Sequence, residues 1–568
     1  MTAKYTVGQY LVDRLHQLGL DHLFSIAGDY SIDWVNNYVQ PGPIKVIEEV
    51  NELNAGYAAD GYARLKGIGA LCVTYSAGAL CAVNPIAGAY VEKVPIVLIN
   101  GTPSIKRTLT FEQTGFSAHH FISGRETDLQ VFEYITAATA RVDNPDLAPM
   151  LIDYALTQCI TERRPVYIEL LQDIVDCPCK PAPAEKLTPA AIMSDPQSRT
   201  ESVKALSDAL INAKNPLIWL GLEIDRYGLQ DQAKRLIQKL NIPYVTELLS
   251  KGVLSEDDPL FAGVFDGQAS SADVQTLFKN ADFILSLGVW LTDINSLGWM
   301  FDFARTAFVS LDTVKYGVFF RAQVALGHFI DDLLAADIKP SKQTVPKPVY
   351  KKSGVTAADP ITYQGFYDFI PQFIDDNTIL GSDASMNYFG SMLLKVAAQR
   401  GFISQSSYSS IGYIGPAATG ICLACQAMEN NKRVIVFTGD GGFQMTAQCL
   451  STQARFELNP IIFVIDNGVY AVEQWLADAS VFSDKKAEFY KSCELRRWNY
   501  SKLAEVFDCG GQKVETYGQL EEAIADAKGH PKRPIVIQVV LADRKSIPAN
   551  AAWKEPLDAH NVPIRVAR

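Results

Sequence analysis

Chemistry in this chain is most concentrated where a strand-like apolar run meets an acidic glycine loop. Arg433-Val-Ile-Val-Phe-Thr438 reads as a buried strand, and Gly439-Asp440-Gly441-Gly442 follows it. Glycines permit a sharp turn and close approach of backbone to a ligand, while Asp440 sets a carboxylate at the strand's carboxyl end. A second apolar run, Pro460 to Ile465, ends in Asp466-Asn467-Gly468-Val469-Tyr470. The 24 residues between Gly441 and Asp466 suffice for a crossover helix and a return strand, so the Asp440 and Asn467 side chains are expected at adjacent strand ends. Two side-chain oxygens, a backbone carbonyl and diphosphate oxygens suit a hard octahedral cation such as Mg²⁺, and a helix opening after Gly441 offers amides to phosphates. A lone Gly-Asp-Gly turn is an ordinary strand-to-helix corner; the spaced pair makes it specific.

Four more places carry proton-transfer groups. Glu52 lies in Val50-Asn-Glu-Leu-Asn-Ala, after the short apolar strand Ile44 to Ile47 and at the start of an alanine-rich helix, where a glutamate also complements the helix dipole. Asp29 follows the apolar run Leu23 to Ala27 and reads equally as a turn or N-cap residue. His119 and His120 are two of only seven histidines, and adjacent residues on a strand or helix face apart. Glu473, in Tyr470-Ala-Val-Glu-Gln474, follows the second loop by a few residues and could be a helix-start charge.

These groups need a scaffold that brings strand ends together. Short apolar runs such as Ala70 to Tyr75, Ile96 to Asn100, Pro216 to Gly221 and Phe283 to Gly288 alternate with longer amphipathic stretches. Near-continuous apolar strands between helices imply parallel sheets covered on both faces. Two proline- and lysine-rich connectors, near 178–198 and 338–360, divide 568 residues into an expected α/β architecture of three doubly wound domains, 1–185, 186–345 and 346–568. In such sheets ligands bind beyond the carboxyl ends of the strands, where the loops above lie.

The charge of −12, from 51 basic and 63 acidic residues without a basic stripe, argues against nucleic acid or anionic membrane as partners. No apolar segment has spanning length and the first residues lack an apolar core, so a cytoplasmic protein is expected. Ten scattered cysteines fit reduced thiols; Cys72 and Cys81 are expected to pack as small hydrophobes, and the pairs Cys177/Cys179 and Cys422/Cys425 lack the partners a zinc site needs.

Gly-Asp-Gly followed after about two dozen residues by an asparagine pair is the signature of thiamine-diphosphate enzymes, which the chain resembles over nearly its whole length. Asp466 stands where that family has its first asparagine. The resemblance implies thiamine diphosphate and Mg²⁺ as cofactors, with Asp440, Asn467 and the Val469 carbonyl on the metal. It further implies Gly439, Gly441, Gly442, Asp383 and Tyr470 around the cofactor, Ser409 by its backbone, and Ile411 beneath the bent cofactor, a position otherwise read as ordinary core. Glu52 becomes the carboxyl on the pyrimidine ring. Asp29, His119-His120 and Glu473 match the pyruvate and related 2-keto acid decarboxylases rather than acetolactate-synthase-type carboligases, the alternative. The implied reaction is non-oxidative decarboxylation of a 2-keto acid to an aldehyde and CO₂ through a thiamine diphosphate ylid and enamine. Pyruvate-specific members carry tryptophan where Ser385 stands and isoleucine where Val472 stands, so a roomier pocket of Ser385, Val472 and Leu476, which Trp475 and Leu476 could partly refill, is expected to take longer, branched or aromatic keto acids. In the family one cofactor is served by two subunits, which implies a homodimer or dimer of dimers.

Overall fold

A computed structural model describes residues 4–122, 127–296, 301–350, 353–430 and 432–552. The far C-terminal tail, whose role the sequence leaves open, lies largely outside them. Three sheets form from the apolar runs. The first has strands Lys45–Glu48, His22–Ser25, Gly69–Thr74, Ile96–Thr102, Val166–Leu171 and Thr139–Val142 side by side, all parallel. The third has Phe402–Ser404, Thr378–Ser382, Arg433–Gly439, Ile461–Asp466, Ile535–Val540 and Gly510–Val514, again all parallel. Numbered within each sheet, both run 2-1-3-4-6-5, so both place their first and third strands at a switch point where loops open a crevice.

The seven-stranded middle sheet departs from the expected all-parallel form. Its edge carries an antiparallel pair, Thr313–Tyr316 with Phe319–Ala322, closed by Gly317 at φ 55°. A two-residue turn needs no crossover helix, which is why the strand–helix alternation used to read the sequence passes over this hairpin.

The first and third sheets share one hydrophobic core. At its centre the helices Glu52–Lys66 and Ile414–Ala427 lie backbone against backbone: a Cβ on Gly61 would strike the Ala417 carbonyl, and one on Gly420 the Ala58 carbonyl. Only residues without side chains allow this approach. Nearby, Arg64 of the first helix pairs with Asp60 at 2.5 Å and Glu92 at 2.8 Å, and Tyr413 donates to Asp60.

Along the same seam Glu49 is buried, its Oε2 accepting from Thr452 Oγ1 at 2.7 Å while Oε1 has no hydrogen-bond partner. Burial pushes its carboxyl up to about 7, against the downward pull of the Thr452 and Val50 hydrogen bonds. The unfolded chain releases this proton near 4.5 and the folded protein near 7, so the folded state binds more protons in that window and stability falls as pH rises through it. The Glu49→Gln variant is expected to lose that part of the pH slope, about 1.4 kcal/mol per unit, and to melt higher than wild type at pH 8 in calorimetric scans.

No helix among the described residues is long and apolar enough to cross a membrane. All ten cysteines are free. Cys72 packs in the core as expected; Cys81 does not, because the turn that carries it leaves its side chain exposed.

Candidate active site

Gly439 and Ile465 are paired in parallel register, so the two loops leave the third sheet side by side. Asp440 bridges them: Oδ1 accepts the Gly441 amide at 2.9 Å and Oδ2 the Gly468 amide at 2.6 Å. Asn467 Oδ1 accepts the Val469 amide at 3.2 Å, and Arg544 fixes the loop through the carbonyls of Asn467 (3.0 Å) and Gly468 (2.8 Å). Asp466, the aspartate at the position of the missing asparagine, is buried and matched by Arg497 at 3.1 Å and by the Gln538 amide at 2.8 Å. Its charge is therefore absorbed behind the loop.

The donor set fits a hard cation and a diphosphate. Asp440 and Asn467 are both buried yet present oxygen atoms beside one cavity. Burial is the largest influence on the Asp440 carboxyl and pushes it up; the Gly468 amide opposes this and Asp466 adds to it, a load that a divalent cation would relieve. A Cβ on Gly441 would run into the Tyr470 ring, and one on Gly442 into the Asp383 carboxylate, so the loop is as open as backbone alone permits. Asp383 is itself occupied, accepting from the Gly412 and Tyr413 amides at 3.0 and 3.1 Å and from Thr438 Oγ1 at 2.8 Å. It ties three strand-end loops into one floor.

The cavity above that floor is lined by residues between 363 and 473, among them Tyr363, Ser385, Ile411, Tyr470, Val472 and Glu473. Ser409 precedes Ile411 with a left-handed φ of 58°. Glu473 stands in the first turn of the helix Ala471–Asp478. Trp475 turns away from the cavity to pack on Phe389 and donate to the Ala551 carbonyl at 3.0 Å, and Leu476 lies on the exposed side of its helix. Neither fills the space beside Ser385 and Val472 within one chain.

The other half of the expected site lies on the first sheet. Glu52 is the first residue of its helix, whose cap Asn51 accepts the Asn54 amide at 2.8 Å. Asp29 leaves the end of His22–Ser25, and its Oδ2 lies 2.5 Å from His119 Nε2. Burial raises the Asp29 carboxyl, but the His119 hydrogen bond and the charge of both imidazoles outweigh it and hold it below its ordinary value. None of Glu52, Asp29, His119 and His120 lines the cavity of the third sheet in the same chain. Within one chain the two groups of expected site residues thus lie apart.

Reading the sequence passed over Tyr30, although an aromatic next to a strand-end acid was a usable signal. Its ring stacks on His119 at 5.0 Å and meets His120 edge-on at 6.1 Å, its hydroxyl donates to the His119 carbonyl at 3.1 Å, and the Arg107 guanidinium lies over the ring 5.6 Å from its centre. Tyr30 is a positioning residue for both imidazoles. The expected result for Tyr30→Leu is a fall in kcat of about tenfold with little change in KM, because a displacement near 1 Å costs up to about 100-fold. Tyr30→Phe, which keeps the ring, should retain most activity; steady-state kinetics with melting curves for both variants checks this.

Family comparisons match three consecutive segments: residues 5–123 as the N-terminal thiamine pyrophosphate binding domain, 203–336 as the central domain and 384–539 as the C-terminal thiamine pyrophosphate binding domain of thiamine pyrophosphate enzymes. A pyruvate decarboxylase of Hanseniaspora uvarum is 30% identical over 92% of this chain and 93% of its own length. An alpha-keto-acid decarboxylase of Mycobacterium avium is 30% identical over 94% of each. The chain belongs to the thiamine-diphosphate-dependent 2-keto acid decarboxylases. A benzoylformate decarboxylase structure from Polynucleobacter necessarius superposes with a TM-score of 0.78 at 18% identity, covering 96% of this chain and 99% of that one, and so shares the fold. As a member of this family the enzyme is a carboxy-lyase, and thiamine diphosphate is its cofactor.

Proposed function

We propose that this decarboxylase releases an aldehyde and CO₂ from 2-keto acids bulkier than pyruvate, at sites completed between two copies of the chain. The observation that carries the reading is the split site: a cation-and-diphosphate cradle with Glu473 on one domain, and Glu52 with Asp29, His119 and His120 on another. Both halves sit at strand ends of sheets with the same order, so a second copy related by a twofold axis can supply to each cradle the half it lacks.

In this reading Asp440, Asn467 and the Val469 carbonyl hold Mg²⁺, and the open glycines Gly439, Gly441 and Gly442 admit the diphosphate. Ile411 would support the bound cofactor, with Ser409 offering backbone and Asp383 and Tyr470 at the floor. Thiamine diphosphate supplies a nucleophilic thiazolium carbon and an electron sink for the loss of CO₂. Glu52 would hold and exchange a proton facing the cofactor's aminopyrimidine, a role that calls for a carboxyl rather than an amide. Asp29, His119, His120 and Glu473 hold and return the protons the departing aldehyde needs. The apolar walls exclude water from the leaving carboxylate.

Ser385 and Val472 line the cavity with small side chains, which supports a preference for branched, longer aliphatic or aromatic acids; Leu476, expected in the pocket, lies outside its lining because it sits on the exposed side of its helix. The deciding assay is aldehyde release from a panel of 2-keto acids with thiamine diphosphate and Mg²⁺; a marked preference for pyruvate would sink the enlarged pocket. Ser385→Trp combined with Val472→Ile is expected to shift kcat/KM toward pyruvate over a six-carbon branched acid by roughly 10–200-fold, the span a hydrophobic pocket commands.

A further inference from the structure

His119 and His120 are neighbours in sequence, and on a strand or helix they would face apart. They sit instead in the connection between the helices Ile105–Thr114 and Thr127–Glu133, where His120 adopts a left-handed φ of 69°. That conformation is uncommon outside glycine, though histidine visits it more than most, and it turns both rings to one side. Their centroids lie 4.9 Å apart at 75°, with Tyr30 against both. One ligand atom from each of Asp29, His119 and His120 lies within 4.8 Å of the other two, the only such group of three or more among the described residues. The His119 and Asp29 side chains are 56% and 47% exposed in the single chain, so no protein group of their own chain covers the ligand atoms.

Two imidazole nitrogens and a carboxylate oxygen are the donors of a three-ligand zinc site with an open fourth position. Bonds of about 2.1 Å in a tetrahedron place such donors about 3.4 Å apart, within reach of small rotations of exposed side chains. Nitrogen donors favour zinc, cobalt or nickel over Mg²⁺, so saturating Mg²⁺ does not compete.

We propose that Asp29, His119 and His120 form a binding site for a divalent ion of the zinc class and that the bound ion stops decarboxylation by occupying them. Binding takes the place of the proton shared between His119 Nε2 and Asp29 Oδ2, which passes to solvent. The binding claim stands on the geometry of the trio; the inhibition rests on the roles given to these residues above.

The test uses holoenzyme carrying thiamine diphosphate and excess Mg²⁺, titrated with Zn²⁺ by calorimetry and with Co²⁺ by absorption. Wild type is expected to bind one ion more per chain than His119→Ala or His120→Ala, and to lose at least tenfold in aldehyde release at saturating Zn²⁺, recovering after chelation and Mg²⁺ replenishment. Where alanine alters the melting curve, the near-isosteric Asp29→Asn removes one ligand and is read in the same way. Equal stoichiometry in wild type and variants would overturn the site, since ions on thiolates survive these changes. A lost site with unaffected aldehyde release would overturn the inhibition. Failure of the decarboxylase reading is separate: it shows as no aldehyde before any Zn²⁺ is added.

Discussion

Glu52→Gln is expected to lower aldehyde release by about 10²–10⁴-fold while leaving cofactor affinity and the melting curve close to wild type. The amide has the shape of the carboxyl and can still accept a hydrogen bond, but it cannot exchange a proton. Asn51 caps the helix through its own side chain, so the local fold does not depend on the Glu52 charge. The measurement is single-turnover decarboxylation alongside cofactor titration by intrinsic fluorescence. An unaffected rate would remove Glu52 from the mechanism, and a lost affinity with a normal rate at saturation would make it a binding residue only.

Asp440→Ala is expected to act on binding instead. Its carboxylate both borders the cavity and receives the Gly441 and Gly468 amides, so truncation removes the proposed cation ligand and unties two loops together. Changes to groups merely supporting a metal ligand cost about 10–100-fold in affinity; loss of the ligand should exceed that for Mg²⁺-dependent cofactor binding. Asp440→Asn, which can keep one of the two amide contacts through its single oxygen, should recover part of the loop order and little of the Mg²⁺ dependence. Activity reconstitution across a Mg²⁺ series after dialysis against chelator distinguishes the two variants.

Much of this was legible in the residues because parallel strands buried on both faces announce themselves as apolar runs. Gly69–Thr74, Ile96–Thr102, Arg433–Gly439 and Ile461–Asp466 fall within a residue or two of where those runs lie. The Asp440–Asn467 adjacency followed from crossover length alone. The antiparallel hairpin at 313–322 was not legible, since a two-residue turn leaves no gap in the strand–helix rhythm. Nor was the arrangement of His119 and His120, which depends on one left-handed backbone angle, or the role of Tyr30, which is visible only once both rings lie against it. Asp383 shows the same limit: its type and place were readable, but not that its oxygens were already taken.

The contact of Gly61 with Ala417 and of Gly420 with Ala58 has a mechanical consequence. Two helices pressed together at their main chains have no side-chain layer in which to slide, and close-packed interiors yield little to strain. Opening and closing for substrate therefore cannot come from these two domains swinging apart. The helix that starts at Glu52 behaves as a fixed strut. Within each chain this contact holds the helix that starts at Glu52 at a constant distance from the Asp440 floor.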